Sequence, residues 1–136
     1  MKKAPSTAEL ASAALAAVIC SSAPAQSLKS GEQVYKETCF ACHATKVDKT
    51  PQYADKKAWA PLIAEGQHVL TAHAWVGVRG MPAKGGNPHL SLEEFARATA
   101  FMARAAGGGW KDPDGAMLKR IQAEEKKRLG EIKAAK

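Results

Sequence analysis

Cysteine is scarce in this 136-residue chain, with three in all, and that scarcity narrows the chemistry. A structural zinc site needs four nitrogen or sulfur ligands. Cys20 stands far from Cys39 and Cys42, so His68, His73 and His89 would have to complete any such set. The strand and βαβ pattern that accompanies a thioredoxin-like dithiol is also missing. No segment after residue 25 approaches the ~20 apolar residues needed to cross a bilayer. Clustered basic residues are lacking too: Lys and Arg total 20 against 13 Asp and Glu, and the excess is +1 over residues 1–25, +3 over 26–109 and +3 over 110–136. A nucleic-acid reader gathers its bases on one face, so no nucleic-acid partner is expected. Diffuse positive charge suits ordinary solubility or a carrier steered towards acidic partner surfaces.

Residues 1–25 read as a signal peptide. Lys2 and Lys3 give a positive start, Leu10 to Cys20 form a short Ala-rich apolar run, and Ala23-Pro24-Ala25 offers small residues for cleavage after Ala25. The run is short for a permanent span, so no integral membrane segment is expected after cleavage; an uncleaved signal would tether the chain to the membrane. Large Ile19 before Cys20 disfavours a lipoprotein acceptor. The expected compartment is periplasmic.

The densest chemistry lies in Cys39-Phe40-Ala41-Cys42-His43. Two thiols three positions apart with an imidazole directly after them read as covalent haem attachment, both sulfurs clasping one macrocycle edge and His43 turning under it as an axial ligand. Haem c explains His43, which a plain disulfide between Cys39 and Cys42 does not. Residues 44–57 have no helical period and form a loop, and the Pro51 carbonyl within it is placed to accept from His43 Nδ1–H and direct Nε2 at iron. Further on, four glycines and two prolines surround Met81 in residues 77–88, so a soft thioether on a constrained loop is the leading sixth ligand. His68, His73 and Met102 are its rivals. Trp59 reads as core, with an indole N–H that needs a partner and a haem propionate as one.

The remaining pattern is helical. Ser30 with Gln33 makes a capping box for a helix from Ser30 to about Cys39, and Gly31 within it points to close approach by another helix. Lys57 to Ala64 is a short helix in which Pro61 is tolerable only in the first turn, with Gly66 ending it. Gln67 to Val76 is another. Ser91 to Ala106, capped by Ser91 with Glu94, carries the longest apolar face and should lie across the first helix against Gly31 and Tyr35. Residues 115–133 form a charged helix whose apolar set of Leu118, Ile121, Leu129 and Ile132 is thin. That predicts a solvated tail with pairs such as Glu124 and Arg128, a docking or oligomerisation helix being the alternative.

Taken together, Gly31 and Tyr35, the Cys39 to His43 motif, Thr50-Pro51, residues 59–66, His73-Ala74, residues 80–86 and Phe101-Met102 resemble a class I c-type cytochrome, closely similar to the cytochrome c5 group. Lys46 and Ala54 stand where that group often has glycine, and the loop before Met81 is short. The resemblance implies an all-α small cytochrome c fold, with N- and C-terminal helices crossing and short helices and loops wrapped around one covalently attached haem c. It implies thioethers at Cys39 and Cys42, iron held by His43 and Met81, the Pro51 carbonyl behind His43, and Trp59 near the propionate edge. The expected organisation is a signal peptide at 1–25, a haem domain at 26–109 and a charged helical extension at 110–136. Two protein ligands saturate the iron, so the expected function is a carrier of single electrons between redox protein partners, acidic-surfaced proteins or membrane respiratory complexes, and not an enzyme. The alternative is a haem c enzyme subunit or gas sensor with a labile sixth ligand.

Overall fold

The computed structural model describes residues 1–2 and 27–136; the signal peptide assigned to 1–25 lies almost wholly outside them. Helix α1 (Gly31–Val34) passes without a break through a π turn (Tyr35–Cys39) into α2 (Phe40–His43). Then follow α3 (Lys56–Ala64), α4 (Gln67–Val76), a short 3-10 turn (Ala83–Gly86), α5 (Leu92–Ala105) and α6 (Gly115–Ala134). Among the described residues the only β pairing is an isolated bridge between Val78 and Met81.

Both capping boxes form as the sequence predicts. Ser30 Oγ accepts from the Gln33 N–H at 3.2 Å, and the Gln33 side chain accepts from the Ser30 N–H at 2.9 Å. Ser91 and Glu94 repeat the arrangement at the head of α5, and Glu94 also accepts from the Lys29 backbone N–H at 3.1 Å, tying the entry of α1 to the start of α5. These backbone donors, Lys29 first and then Ser91, hold the Glu94 carboxyl below its ordinary value of 4.5. The ionised form is therefore the stabilising one: the contribution is complete above the unfolded carboxylate value and is lost as pH falls through the depressed folded value. Melting curves between pH 3 and 6 should fall more steeply for the native protein than for Glu94→Gln, which keeps the hydrogen-bonding shape without the charge.

Helices α1 and α5 cross where α1 has no side chain. A Cβ at Gly31 would run into the Arg97 carbonyl and lie 3.0 Å from Phe101 Cβ. Around this crossing Tyr35 stacks on Tyr53 at 4.6 Å between centroids and meets Phe101 at 5.5 Å. The main core continues through Val34, Cys39, Trp59, Leu70, Phe95, Met102 and Ala103.

Three features depart from the sequence reading. Pro61 sits sixth in α3 rather than in its first turn; Lys57, whose carbonyl loses its donor, and Pro61 are both exposed, so the unmatched acceptor stays open to solvent. Lys46 and Ala54 adopt left-handed φ of 56° and 61°, which is why glycine suits these corners. Replacing Ala54 by glycine should relieve roughly 1–2 kcal/mol of left-handed strain against about 0.4–1 kcal/mol of added unfolded-chain entropy. A net gain of about 0.5–1 kcal/mol is expected in denaturant titrations.

The third departure is α6, which is not a solvated tail. Ile121 is fully buried with Ala72 of α4 and Ala96 of α5, and Met117, Leu118 and Leu92 pack around them. Polar contacts carry the rest of the seam: Trp75 Nε1–H donates to Glu125 at 2.9 Å, His73 meets Glu124 at 3.4 Å, and Arg120 meets His68 Nδ1 at 3.0 Å. The expected Glu124 with Arg128 pair is replaced by Glu124 with Lys127 and Arg128 with Glu131, and Leu129 is exposed.

Candidate functional site

The π turn sets up the site. The Phe40 N–H reaches back to the Tyr35 carbonyl, so one extra residue enters the turn that ends on Cys39, a distortion that recurs at functional sites. Cys39 and His43 point inward and are buried, while Cys42 and Phe40 remain exposed. Both thiols are free. Burial, with Cys42 adding to it, pushes the Cys39 thiol up to about 11, so its sulfur is neutral at ordinary pH. A thioredoxin-like dithiol would follow a strand in a βαβ unit, and among the described residues no strand precedes the motif. The zinc reading finds no support either: among the described residues no three His, Cys, Asp or Glu side chains gather closely enough to hold a metal.

His43 is fixed from behind. Its Nδ1 lies 2.8 Å from the Pro51 carbonyl, and a carbonyl only accepts, so Nδ1 carries the hydrogen and Nε2 keeps a free lone pair in the neutral ring. The loop bearing Pro51 is pinned by Gln52, a residue the sequence did not single out. Its side chain donates to the Cys42 and Thr50 carbonyls at 3.3 and 3.1 Å and accepts from the Lys46 N–H at 2.9 Å. Its carbonyl takes the Trp59 indole N–H at 2.9 Å. Trp59 is buried in the core, and its indole donor is taken up by this backbone carbonyl. Its ring lies 6.4 Å from that of His43, centre to centre.

Met81 is held on a separate tie. Val78 and Met81 exchange backbone hydrogen bonds at 3.1 and 2.9 Å, with Arg79 at a left-handed φ of 54° in the intervening turn. Gly85, also left-handed, lets the following turn come close: a Cβ there would sit 3.3 Å from Thr38 Cγ2 and 3.9 Å from Met81 Cε. Asn87 donates to Thr38 Oγ1 at 3.1 Å. The Met81 loop is thus anchored on the π turn that carries Cys39. The rival ligands are engaged elsewhere: His68 and His73 face α6, and Met102 is 4% exposed in the core.

Two hollows of about 470 and 550 Å³ meet at Glu65 and Arg79, which line both. Pro51, the partner of His43, lines one with Pro61 and Leu62; Val78, the partner of Met81, lines the other with Val69 and Leu70. Their walls mix apolar side chains with Lys49, Arg79 and Arg128, a lining suited to a hydrophobic macrocycle that carries carboxylates; Cys39, Cys42, His43 and Met81 themselves line neither hollow. The donor set fits as well, with two free thiols and a tautomer-locked imidazole close together on the helix.

Comparison with known proteins agrees with this geometry. Residues 26–102 match the family described as cytochrome c oxidase, cbb3-type, subunit III. The chain belongs to this family and is a class I c-type cytochrome. The cytochrome is 42% identical over 76 residues to cytochrome c-555 of Chlorobaculum thiosulfatiphilum, covering 53% of this chain and 88% of that one. It is 37% identical over 100 residues to cytochrome c-555 of Chlorobaculum tepidum, covering 71% and 91%. Among solved structures it resembles a chain of an electron transfer complex of nitrite reductase with cytochrome c, at 38% identity and a TM-score of 0.53 over 56% of this chain and 93% of that one. The cytochrome accordingly carries covalently attached haem c with its iron and serves as an electron carrier. No helix among the described residues is long and apolar enough to cross a membrane.

Proposed function

We propose that the cytochrome is an exported monohaem carrier in which His43 and Met81 bind the iron axially and Cys39 and Cys42 form the thioethers. Haem c held there supplies a reversible one-electron Fe(II)/Fe(III) couple. Residues 1–25 act as a cleaved signal peptide, 26–109 form the haem domain, and 110–136 add a helix packed on it. The carrier works in the periplasm between redox protein partners, which are acidic-surfaced proteins or membrane respiratory complexes. A redox enzyme of the kind seen with the solved neighbour is a partner of suitable chemistry.

The reading is carried by the hydrogen bond from His43 Nδ1 to the Pro51 carbonyl at 2.8 Å. It fixes the ring and leaves Nε2 as a lone-pair donor, the preparation an axial imidazole requires. Pro51 orients, Gln52 braces Pro51, and the Val78 turn with Gly85 fixes the backbone of Met81. His43 and Met81 would hold the iron and Cys39 and Cys42 the macrocycle, leaving no place for an exchangeable ligand.

The deciding experiment is an absorption spectrum of the exported protein, oxidised and reduced, with a haem stain on a denaturing gel. Stained protein with the weak far-red band of oxidised iron–thioether ligation is the expected result. Absence of that band together with carbon monoxide binding in the reduced state would favour the sensor or enzyme reading instead.

A further inference from the structure

The family match ends at residue 102, and α6 lies beyond it. One cation of α6 lines the larger of the two hollows described above. Arg128 lines the same hollow as Glu65, Val78 and Arg79, and its Nε is buried with no hydrogen-bond partner. Its terminal nitrogen meets only Glu131, at a long 3.4 Å, and that carboxylate is half exposed. The other acids on its face of α6 are taken, Glu124 by His73 and Lys127 and Glu125 by the Trp75 indole. Along the two joined hollows Lys49, Arg79 and Arg128 stand against Glu65, the sole carboxylate among the described residues that line them. A guanidinium with an unused N–H, lining a hollow where Arg79 and His73 stand with it against the single carboxylate of Glu65, calls for a further anion there.

We propose that Arg128, together with Arg79, holds a haem propionate, and that α6 thereby sets the reduction potential of this cytochrome instead of serving as a partner-docking tail. This rests on haem c being bound at His43. A forked cation offsets the propionate charge, which otherwise stabilises the ferric state more than the ferrous. Removing it should shift the Fe(III)/Fe(II) equilibrium towards the oxidised form. Because the contact is partly shielded, the shift should survive added salt that screens exposed charges.

The test is potentiometric titration of the holoprotein carrying Arg128→Gln, Arg128→Lys or Lys126→Gln, at low and at high salt. Lys126 is exposed on the same helix, so it reports the effect of net charge alone. The expected result is a threefold to tenfold shift towards ferric haem in Arg128→Gln, tenfold being about 59 mV for one electron. Arg128→Lys, which keeps the charge but not the fork, should show a smaller shift of the same sign, and Lys126→Gln a still smaller one that vanishes in salt. Equal shifts for Arg128→Gln and Lys126→Gln, or no shift in Arg128→Gln with its haem spectrum intact, would overturn the proposal. If Arg128→Gln fails to fold by circular dichroism, Arg128→Lys decides by the same comparison. Loss of haem staining in the unmutated protein, by contrast, would overturn the haem reading itself.

Discussion

Met81→His is expected to leave the protein coloured while its midpoint potential falls by on the order of 0.2 V, a quarter of the ~0.8 V over which axial ligands set haem potentials. A thioether is a soft, weakly basic donor that favours ferrous iron, whereas imidazole donates more strongly and favours ferric. The change should act on iron rather than on the fold. Met81 is fixed through its backbone bonds to Val78, and the loop is anchored separately by Asn87 on Thr38; neither depends on the sulfur. Haem attachment, which we assign to Cys39 and Cys42, would likewise be independent of it. Potentiometry with the far-red band as a second readout checks this. An unchanged potential would remove Met81 from the iron.

The second large effect is structural. Gly31→Ala gains about 1 kcal/mol of helix propensity, yet it should destabilise the folded protein by about 3 kcal/mol, the upper part of the range for overpacking. The new methyl meets the Arg97 carbonyl, and that group belongs to the rigid middle of α5 rather than to a side chain able to turn away. Relief requires the helices to separate, which also loosens the Tyr35, Tyr53 and Phe101 stack. The melting midpoint should drop by more than ~10 °C in a chain of this size. A stability loss below that of an exposed-site substitution would mean the crossing is not as close as described.

Much of this arrangement was legible before any coordinates. The capping boxes at Ser30 and Ser91, the end of α3 at Gly66, the extent of α4 and the closeness of Gly31 to α5 all follow from local chemistry, because each is settled by a few residues in one turn. The contact between His43 and Pro51 was legible for a similar reason, an imidazole and a proline carbonyl joined by a short loop. What escaped depends on longer-range or backbone-level compromise. The π turn leaves no compositional trace in Tyr35 to Cys39. Gln52 acts through three backbone partners and resembles any polar loop residue. Docking of α6 was hidden because its seam uses Arg120, Glu124 and Glu125 where an apolar stripe would have announced it, with Ile121 alone fully buried. Trp59 was placed correctly in the core, but which acceptor its indole finds is decided by the fold of the loop beside it.

The pairing of His68 with Arg120 and of His73 with Glu124 bears on how the chain reaches its final state. Without α6 both imidazoles would lose these partners and could offer donors to haem iron in competition with the proposed Met81 thioether. Covering them removes rival donors from the metal, so exogenous imidazole during refolding of the haem-bearing chain should speed recovery of the native spectrum.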